Sequence, residues 1–269
     1  MKNDETIKVM VKEKYGAIAN QSKAQNQSSC CGGTCGSSNV EFSIMSEDYS
    51  QVPGYVPEAD LALGCGIPTE FACIKPGDSV VDLGSGAGND CFVARSITGE
   101  KGRVIGIDMT EPMIEKAREN ARKLEFTNVE FLLGEIEALP LPDSVADVVV
   151  SNCVLNLVPN KPKAFAEMHR ILKPGGHFSV SDIVLRGELP EGLRDDAVMY
   201  AGCISGAQQK DDYLGNIVRA GFANVVVQKE RRIDLPREIL ERHLTAEQQD
   251  AFSRETVGVF SLTVYADKP

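Results

Sequence analysis

The sequence predicts an α/β protein, a Rossmann-like, doubly wound and mostly parallel sheet, and three observations carry that expectation. Between residues 75 and 185, short apolar runs alternate with stretches of helical spacing, the pattern of βαβ units joined by right-handed crossovers. The first run, Val80-Val81-Asp82-Leu83, passes directly into Gly84-Ser85-Gly86-Ala87-Gly88. A later run, Val145-Ala146-Asp147-Val148-Val149-Val150, leads into Ser151-Asn152-Cys153. Strands buried on both faces read as such near-continuous apolar runs.

Taken in order, residues 3–15 have helical composition, with Ile7, Val11 and Tyr15 spaced by four and Gly16 close behind. From Gln21 to Asn39 the chain is rich in Ser, Gln, Asn and Gly around Cys30-Cys31-Gly32-Gly33-Thr34-Cys35, which suits a mobile arm or lid rather than a packed element. Pro57 to Leu63 predicts a short helix opened by proline. It ends in Gly64-Cys65-Gly66, a turn tight enough to expose a side chain. Strands are predicted near 78–83, 103–107, 128–133, 145–150 and 176–183, and helices near 89–98, 111–124 and 160–172. Pro174-Gly175-Gly176 reads as a turn into the fifth strand. Beyond Leu185 helices are predicted near 190–202 and 210–220, then strands near 223–231 and 257–266, the last pairing at the end of the sheet.

A formal charge of -11 on 269 residues argues against nucleic acid or an anionic membrane as partner, since both require a basic patch. The first residues are charged where a secretory signal is apolar, and no uncharged apolar stretch approaches the roughly 18 to 20 residues of a membrane span. The expectation is a soluble, cytoplasmic protein. Eight cysteines then need another explanation than an extracellular disulfide scaffold. Cys73, beside an apolar stretch, and Cys91, inside the helix after the glycine turn, read as packing residues, and Cys35 as a spare thiol. His169, His177 and His243 are scattered and receive no catalytic role. Arg118 to Lys123 reads as a solvated helix face.

Gly84, Gly86 and Gly88 follow a strand and open a helix, so they permit a tight turn and close approach of backbone to a ligand. Asp108 ends the next strand, 20 residues after Gly88, where a carboxylate accepts both hydroxyl hydrogens of a ribose. The spacing departs from GxGxxG, and Asp82 and Asp90 flank the turn. Carboxylates there repel a pyrophosphate but tolerate a sulfonium and an amino group, which favours S-adenosyl-L-methionine over a nicotinamide dinucleotide. Glu135 and the backbone of Ile136, just past the third strand, are placed to meet an adenine edge, and Met109 its face. Ligands gather at the carboxyl ends of parallel strands, so Cys153 points into the same crevice. Three parts are expected: 1–74, an N-terminal helix, mobile arm and cap; 75–185, the S-adenosylmethionine-binding core; 186–269, a substrate-binding segment that completes the sheet.

These residues resemble the class I S-adenosylmethionine methyltransferases and, more narrowly, the arsenite methyltransferases. The wider pattern lies in Val80–Gly88, Asp108 and Leu172-Lys173-Pro174-Gly175-Gly176. The narrower one lies in Gly64-Cys65-Gly66, Gly106-Ile107-Asp108-Met109-Thr110, Ser151 to Pro159, and Gly202-Cys203-Ile204-Ser205-Gly206-Ala207. The resemblance implies that Cys65, Cys153 and Cys203 bind trivalent arsenic as substrate. It implies a further thiol in the N-terminal arm, with Cys30, 14 residues after Gly16, as its counterpart and Cys31 as the alternative. It also implies cofactor contacts by Tyr15, Ser85 and Asn152. Many relatives carry two tyrosines before that glycine; here Lys14 precedes Tyr15.

Trivalent arsenic is soft and bonds strongly to thiolate, as soft metals do. Three sulfurs leave its lone pair at the apex of a pyramid, directed at a methyl carbon held over the sheet. Transfer oxidises arsenic to the pentavalent state. The resemblance implies that a thiol pair including Cys30 returns it to the trivalent state by closing to a disulfide, which thioredoxin or glutathione reopens. No metal cofactor is expected beyond the arsenic substrate, supplied as arsenite or its thiol conjugate. The alternative is a C- or O-methyltransferase of a small quinone-like acceptor, which has no use for three scattered cysteines. A zinc or thiol-based sensor lacks four well-placed ligands.

Overall fold

The computed structural model describes residues 4–21, 26, 46–188, 206–234, 240–241, 244–253 and 258–269. The predicted helix at 190–202, the 21–39 arm beyond Gln21 except Asn26, and Cys30, Cys31, Cys35, Cys203 and His243 lie outside these residues.

Among the described residues eight strands form one sheet: β1 (Ser79–Leu83), β2 (Arg103–Asp108), β3 (Val129–Leu133), β4 (Ala146–Asn152), β5 (Leu172–Arg186), the two-residue β6 (Gln208–Gln209), β7 (Ala223–Ile233) and β8 (Gly258–Asp267). Their order is β3-β2-β1-β4-β5-β8-β7, with β6 paired to β5. β8 runs antiparallel to β5 and β7, while the β3 to β5 half is parallel throughout. The expected doubly wound, mostly parallel sheet is therefore observed. Chain order reverses between β1 and β4, and this places the crevice between the loops that follow these two strands.

Adjacent residues feed opposite cores because side chains alternate across a strand. Val81, Ile105 and Val149 pack on one face with Phe165, Phe178 and Tyr213. Val80, Val104 and Val148 pack on the other with Phe92, Ile114 and Phe131. The covering helices are α3 (Asn89–Thr98) and α4 (Glu111–Lys123) on the second face, and α5 (Lys161–Ile171) and α6 (Lys210–Arg219) on the first, with α1 (Asp4–Ala19), α2 (Pro68–Phe71) and α7 (Ala246–Ser253) outside this set. α5 starts where Asn160 Oδ1 accepts the Lys163 N–H at 3.0 Å, with a proline in its first turn; the cap satisfies a donor that has no partner within the helix.

Four expectations change. The helix predicted at Pro57–Leu63 is a series of turns, because Asp60 accepts the Ala62 N–H at 2.8 Å and Ala62 takes a left-handed φ of 59°. The proline-opened helix is α2, at Pro68. α1 runs past Gly16 to Ala19, since Ile18 and Ala19 bury against Leu61 and Met113 and Lys116 Nζ donates to Ala19 O at 2.9 Å. β5 begins at Leu172 rather than after the glycines, because Gly175 and Gly176 pair with Lys268. Finally, β8 lies between β5 and β7 instead of ending the sheet. Its weak alternation is the mark of burial on both faces, with Val259, Leu262, Val264 and Ala266 all inaccessible.

Candidate active site

A cavity opens at the switch point, enclosing about 1190 Å³ of non-atom space with its mouth included, ample for a nucleoside-sized ligand. Its floor is the turn after β1. Gly84 N and Ser85 N both donate to Ile107 O, at 2.7 and 3.0 Å, which ties the turn to β2. Gly84, Gly86 and Gly88 have φ of 72°, 51° and 98°, the left-handed region that side chains resist. A Cβ at Gly86, which lines the cavity, meets nothing within 4 Å, whereas one at Gly88 comes within 2.9 Å of Phe131 and Phe92. Gly86 is thus the cradle, and Gly88 serves packing.

Tyr15, Asp82, Gly84, Ser85, Gly86, Asp108, Met109, Glu135, Ile136 and Asn152 all line the cavity. Gly88 does not. The Asp108 carboxylate is oriented by backbone donors on both oxygens, Gly86 N at 3.0 Å on one and Thr110 N at 2.8 Å on the other. Glu135 is engaged by α1: Lys8 Nζ lies 2.8 Å and Lys12 Nζ 3.2 Å from its carboxylate, and Lys8 also reaches Glu137 at 2.6 Å. These lysines hold Glu135 below the usual carboxylate range.

Seven carboxylates but only one cation, Lys8, are found among the described residues lining the cavity. Burial lifts Asp82 well above the usual carboxylate range, with Asp90 beside it adding to the rise. Burial also pushes Asp90 up to about 6, against hydrogen bonds from Tyr49 and Asn152, and raises Asp108 despite its backbone donors. The Cys91 thiol donates to Asp82 Oδ2 at 3.2 Å; it is buried, as expected, yet it also touches a cavity carboxylate. Such a wall favours a cationic ligand. Ser85 Oγ and Asn89 Oδ1 add two buried polar atoms without partners, both at the cavity, and orphaned groups of this kind call for a ligand.

Cys153 is part of the same wall. It is nearly inaccessible and takes a left-handed φ of 61°, an uncommon conformation for a side-chain-bearing residue. Its N–H donates to Ser181 O at 2.7 Å. Cys65 joins it in one buried cluster with Leu157, Ile183 and Val259. Contrary to expectation, the glycine-bracketed turn buries Cys65 completely: Asn152 covers one side, and Ser261 Oγ donates to Cys65 O at 2.6 Å from the other. Cys73 departs the other way. It is exposed, at a φ of 47° just after α2, where the turn carries it off the apolar face. His169 and His177 lie in α5 and β5 as read, and Arg118–Lys123 is exposed except for Asn120 and Ala121.

Tyr49, Asp60 and Lys8 also line the cavity and were not anticipated. Tyr49 and Asp60 come from turns without periodicity, so no local signal marks them. Lys8 sits one position past Ile7, part of the amphipathic pattern already recognised, and its charge facing Glu135 was the missed clue.

The methyltransferase-domain profile matches residues 74–240. The arsenite methyltransferase of Halobacterium salinarum is 42% identical over 238 residues, covering 84% of this chain and 60% of that protein. The arsenite methyltransferase of Aquipseudomonas alcaligenes is 34% identical over 230 residues, covering 80% and 61%. Among solved structures, the arsenic(III) S-adenosylmethionine methyltransferase of Chlamydomonas reinhardtii superposes with a TM-score of 0.64 at 34% identity, over 75% of this chain and 66% of that one. The chain thus spans about three fifths of the length of these curated relatives. More than half of the 269 residues lie under the one profile, and the chain belongs to the methyltransferase-domain family.

Proposed function

We propose that the protein transfers the methyl group of S-adenosyl-L-methionine to trivalent arsenic held by cysteine thiolates. The observation that carries this reading is Cys153: a buried thiol on the wall of an acidic cofactor cavity, at a φ of 61°, sharing a cluster with Cys65. The residues present fit the cofactor, because a carboxylate wall, an open glycine cradle at Gly86 and orphaned Ser85 and Asn89 atoms match a cationic, hydroxyl-rich ligand. S-adenosyl-L-methionine, when bound, supplies a methyl group on a positively charged sulfur. Asp108 is assigned to the ribose, Gly86 to close backbone approach, Ile136 and Met109 to the base. Cys65, Cys153 and Cys203 are assigned to arsenic, and Cys30, or Cys31 beside it, to the thiol pair that a reductant such as thioredoxin or glutathione restores. In-line orientation of bound reactants is the main source of acceleration, with effective molarities of about 10⁵–10⁸ M for well-aligned groups.

Isothermal titration tests the assignment. Arsenite is expected to bind at one per chain and to lose that site in Cys153→Ser. Asp108→Ala is expected to weaken S-adenosylhomocysteine by about tenfold or more and to leave arsenite binding in place. Arsenite binding that survives in Cys153→Ser overturns the arsenic reading; equal loss of both ligands in Asp108→Ala points to misfolding.

A further inference from the structure

Asn152 joins the two halves of the site. Its Oδ1 accepts the Cys65 N–H at 3.0 Å and the Gly66 N–H at 3.3 Å. Its Nδ2 lies 2.8 Å from Gly66 O, 2.8 Å from Tyr49 Oη and 3.1 Å from Asp90 Oδ2. Tyr49 is buried, and its hydroxyl lies 2.8 Å from Asp90 Oδ1 and 3.0 Å from Gly66 O. The amide therefore has its acceptor side on the backbone of the cysteine turn, and its donor side shared between Gly66 O of that turn and Tyr49 and Asp90 of the cavity wall. An amide flip would place Oδ1 against the Asp90 carboxylate, so these neighbours fix its orientation. The next residue along the chain is Cys153. One residue thus carries Cys153 on its backbone and the Cys65 turn on its side chain.

The first glycine of that turn is explained by the same contact. A Cβ at Gly64 would come within 2.5 Å of Asn152 Nδ2, and one at Gly66 within 2.5 Å of Ser181 Oγ. Gly64 lets the backbone press against the amide, which holds a peptide that Ser261 holds from the opposite side, while Gly66 makes room for Ser181.

We propose that Asn152, oriented by Tyr49 and Asp90, is a positioning residue that sets the Cys65 turn against Cys153, so that the geometry of the thiol pair is fixed from the cofactor side of the cavity. The proposal rests on the arsenic reading above. It separates Asn152 from a plain cofactor contact: its loss acts on metalloid capture more than on the nucleoside.

The test uses phenylarsine oxide, which bridges two thiols, and S-adenosylhomocysteine, titrated separately into the full chain with Cys30, Cys31 and Cys35 replaced by Ser so that arm thiols do not compete. Asn152→Ala is expected to weaken phenylarsine oxide about tenfold, because it removes the direct bonds to the Cys65 turn, and Tyr49→Phe about threefold, because it loosens only the orientation of the amide. S-adenosylhomocysteine affinity is expected to fall by a smaller factor in each. In steady-state assays of the otherwise wild-type chain, KM for the arsenical should rise more than KM for the cofactor. Asn152→Ser, which keeps a short acceptor and donor, should recover part of the loss; a purely structural role gives no such ordering. Unchanged phenylarsine oxide affinity in Asn152→Ala, or equal loss of both ligands in Tyr49→Phe, overturns the clamp. If Asn152→Ala does not fold, Tyr49→Phe and Asn152→Ser decide by the same ratio. The control double variant Cys65→Ser/Cys153→Ser, which leaves at most one of the three thiols assigned to arsenic, must lose phenylarsine oxide; if it keeps it, the arsenic reading itself fails, and the clamp with it.

Discussion

At the scale of single residues, the glycine turn separates ligand contact from packing. Gly86→Ala adds a methyl group to open cavity at a φ of 51°. The backbone strain should cost about 1 kcal/mol of stability, while cofactor affinity drops steeply because the methyl group occupies the cradle. Gly88→Ala has a φ of 98° and a Cβ 2.9 Å from Phe131 and Phe92, so it should cost about 2–4 kcal/mol through strain and overpacking. Differential scanning fluorimetry with S-adenosylhomocysteine titration distinguishes them: a larger ligand defect in Gly86→Ala and a larger Tm loss in Gly88→Ala. The reverse ordering would overturn the division of roles. Asp108, Glu135 and the glycines were legible because each lies at or just past the carboxyl end of a strand. Tyr49 and Asp60 were not, because turns held by side-chain bonds such as Asp60 to Ala62 carry no repeat. The burial of Cys65 was also hidden, since it depends on Asn152 and Ser261, 87 and 196 residues away.

At the scale of elements, α1 is joined to the third-strand loop by charge. Lys8 bonds both Glu135 and the nearly buried Glu137, while Lys12 reaches only Glu135. On its inner face, Val11 enters the cluster that contains Cys65 and Cys153, and Tyr15 lines the cavity. Removing Lys8 leaves Glu137 with its contact to Asn160 N at 3.0 Å but without its cation. Lys8→Ala should therefore lower stability by about 1–2 kcal/mol, more than Lys12→Ala, whose pair is exposed and screened by salt. Cofactor dissociation, followed by stopped-flow with S-adenosylhomocysteine, should speed up in Lys8→Ala. An unchanged rate would show that α1 does not gate the cavity. The helix was predicted from its spacing, but its last turn was not, because Gly16 reads as a stop and only the burial of Ile18 and Ala19 overrides it. β8 was found as a strand and misplaced for a similar reason: position within a sheet is decided by partners, which a run of apolar residues does not name.

At the scale of the whole molecule, the sheet gathers acid from separate segments into one place. Asp82 is the penultimate residue of β1, Asp90 lies in the first turn of α3, Asp108 ends β2, and Asp60 arrives on a turn distant in sequence from all three. The net charge of -11 told of an acidic protein, but the concentration of that charge at the switch point emerges only from the fold. In the ligand-free protein Asp90 titrates near 6, with Asp82 and Asp108 raised as well. The folded state therefore binds more protons than the unfolded chain between about pH 4 and 6, where free aspartates titrate near 3.9. For these groups, stability rises as pH falls from neutral towards 5. Below that, Glu135, Asp147 and Glu167, which are held low by their lysine and arginine partners, lose their stabilisation as they protonate. A cation in the cavity reverses the logic, because it favours ionised carboxylates and must displace their protons. Affinity for S-adenosylmethionine should thus fall as pH drops from 7.5 to 5.5, by about fourfold if only Asp90 must release its proton and by more if Asp82 or Asp108 must also. S-adenosylhomocysteine, which lacks the sulfonium charge, should fall less. His169, held below its usual range by burial, opposes the stability trend but packs on Phe222 away from the cavity, so the binding measurement is free of it. Equal pH dependence for the two ligands would assign the acid cluster to the amino group alone, and a flat profile for both would mean that the carboxylates stay protonated with the cofactor in place.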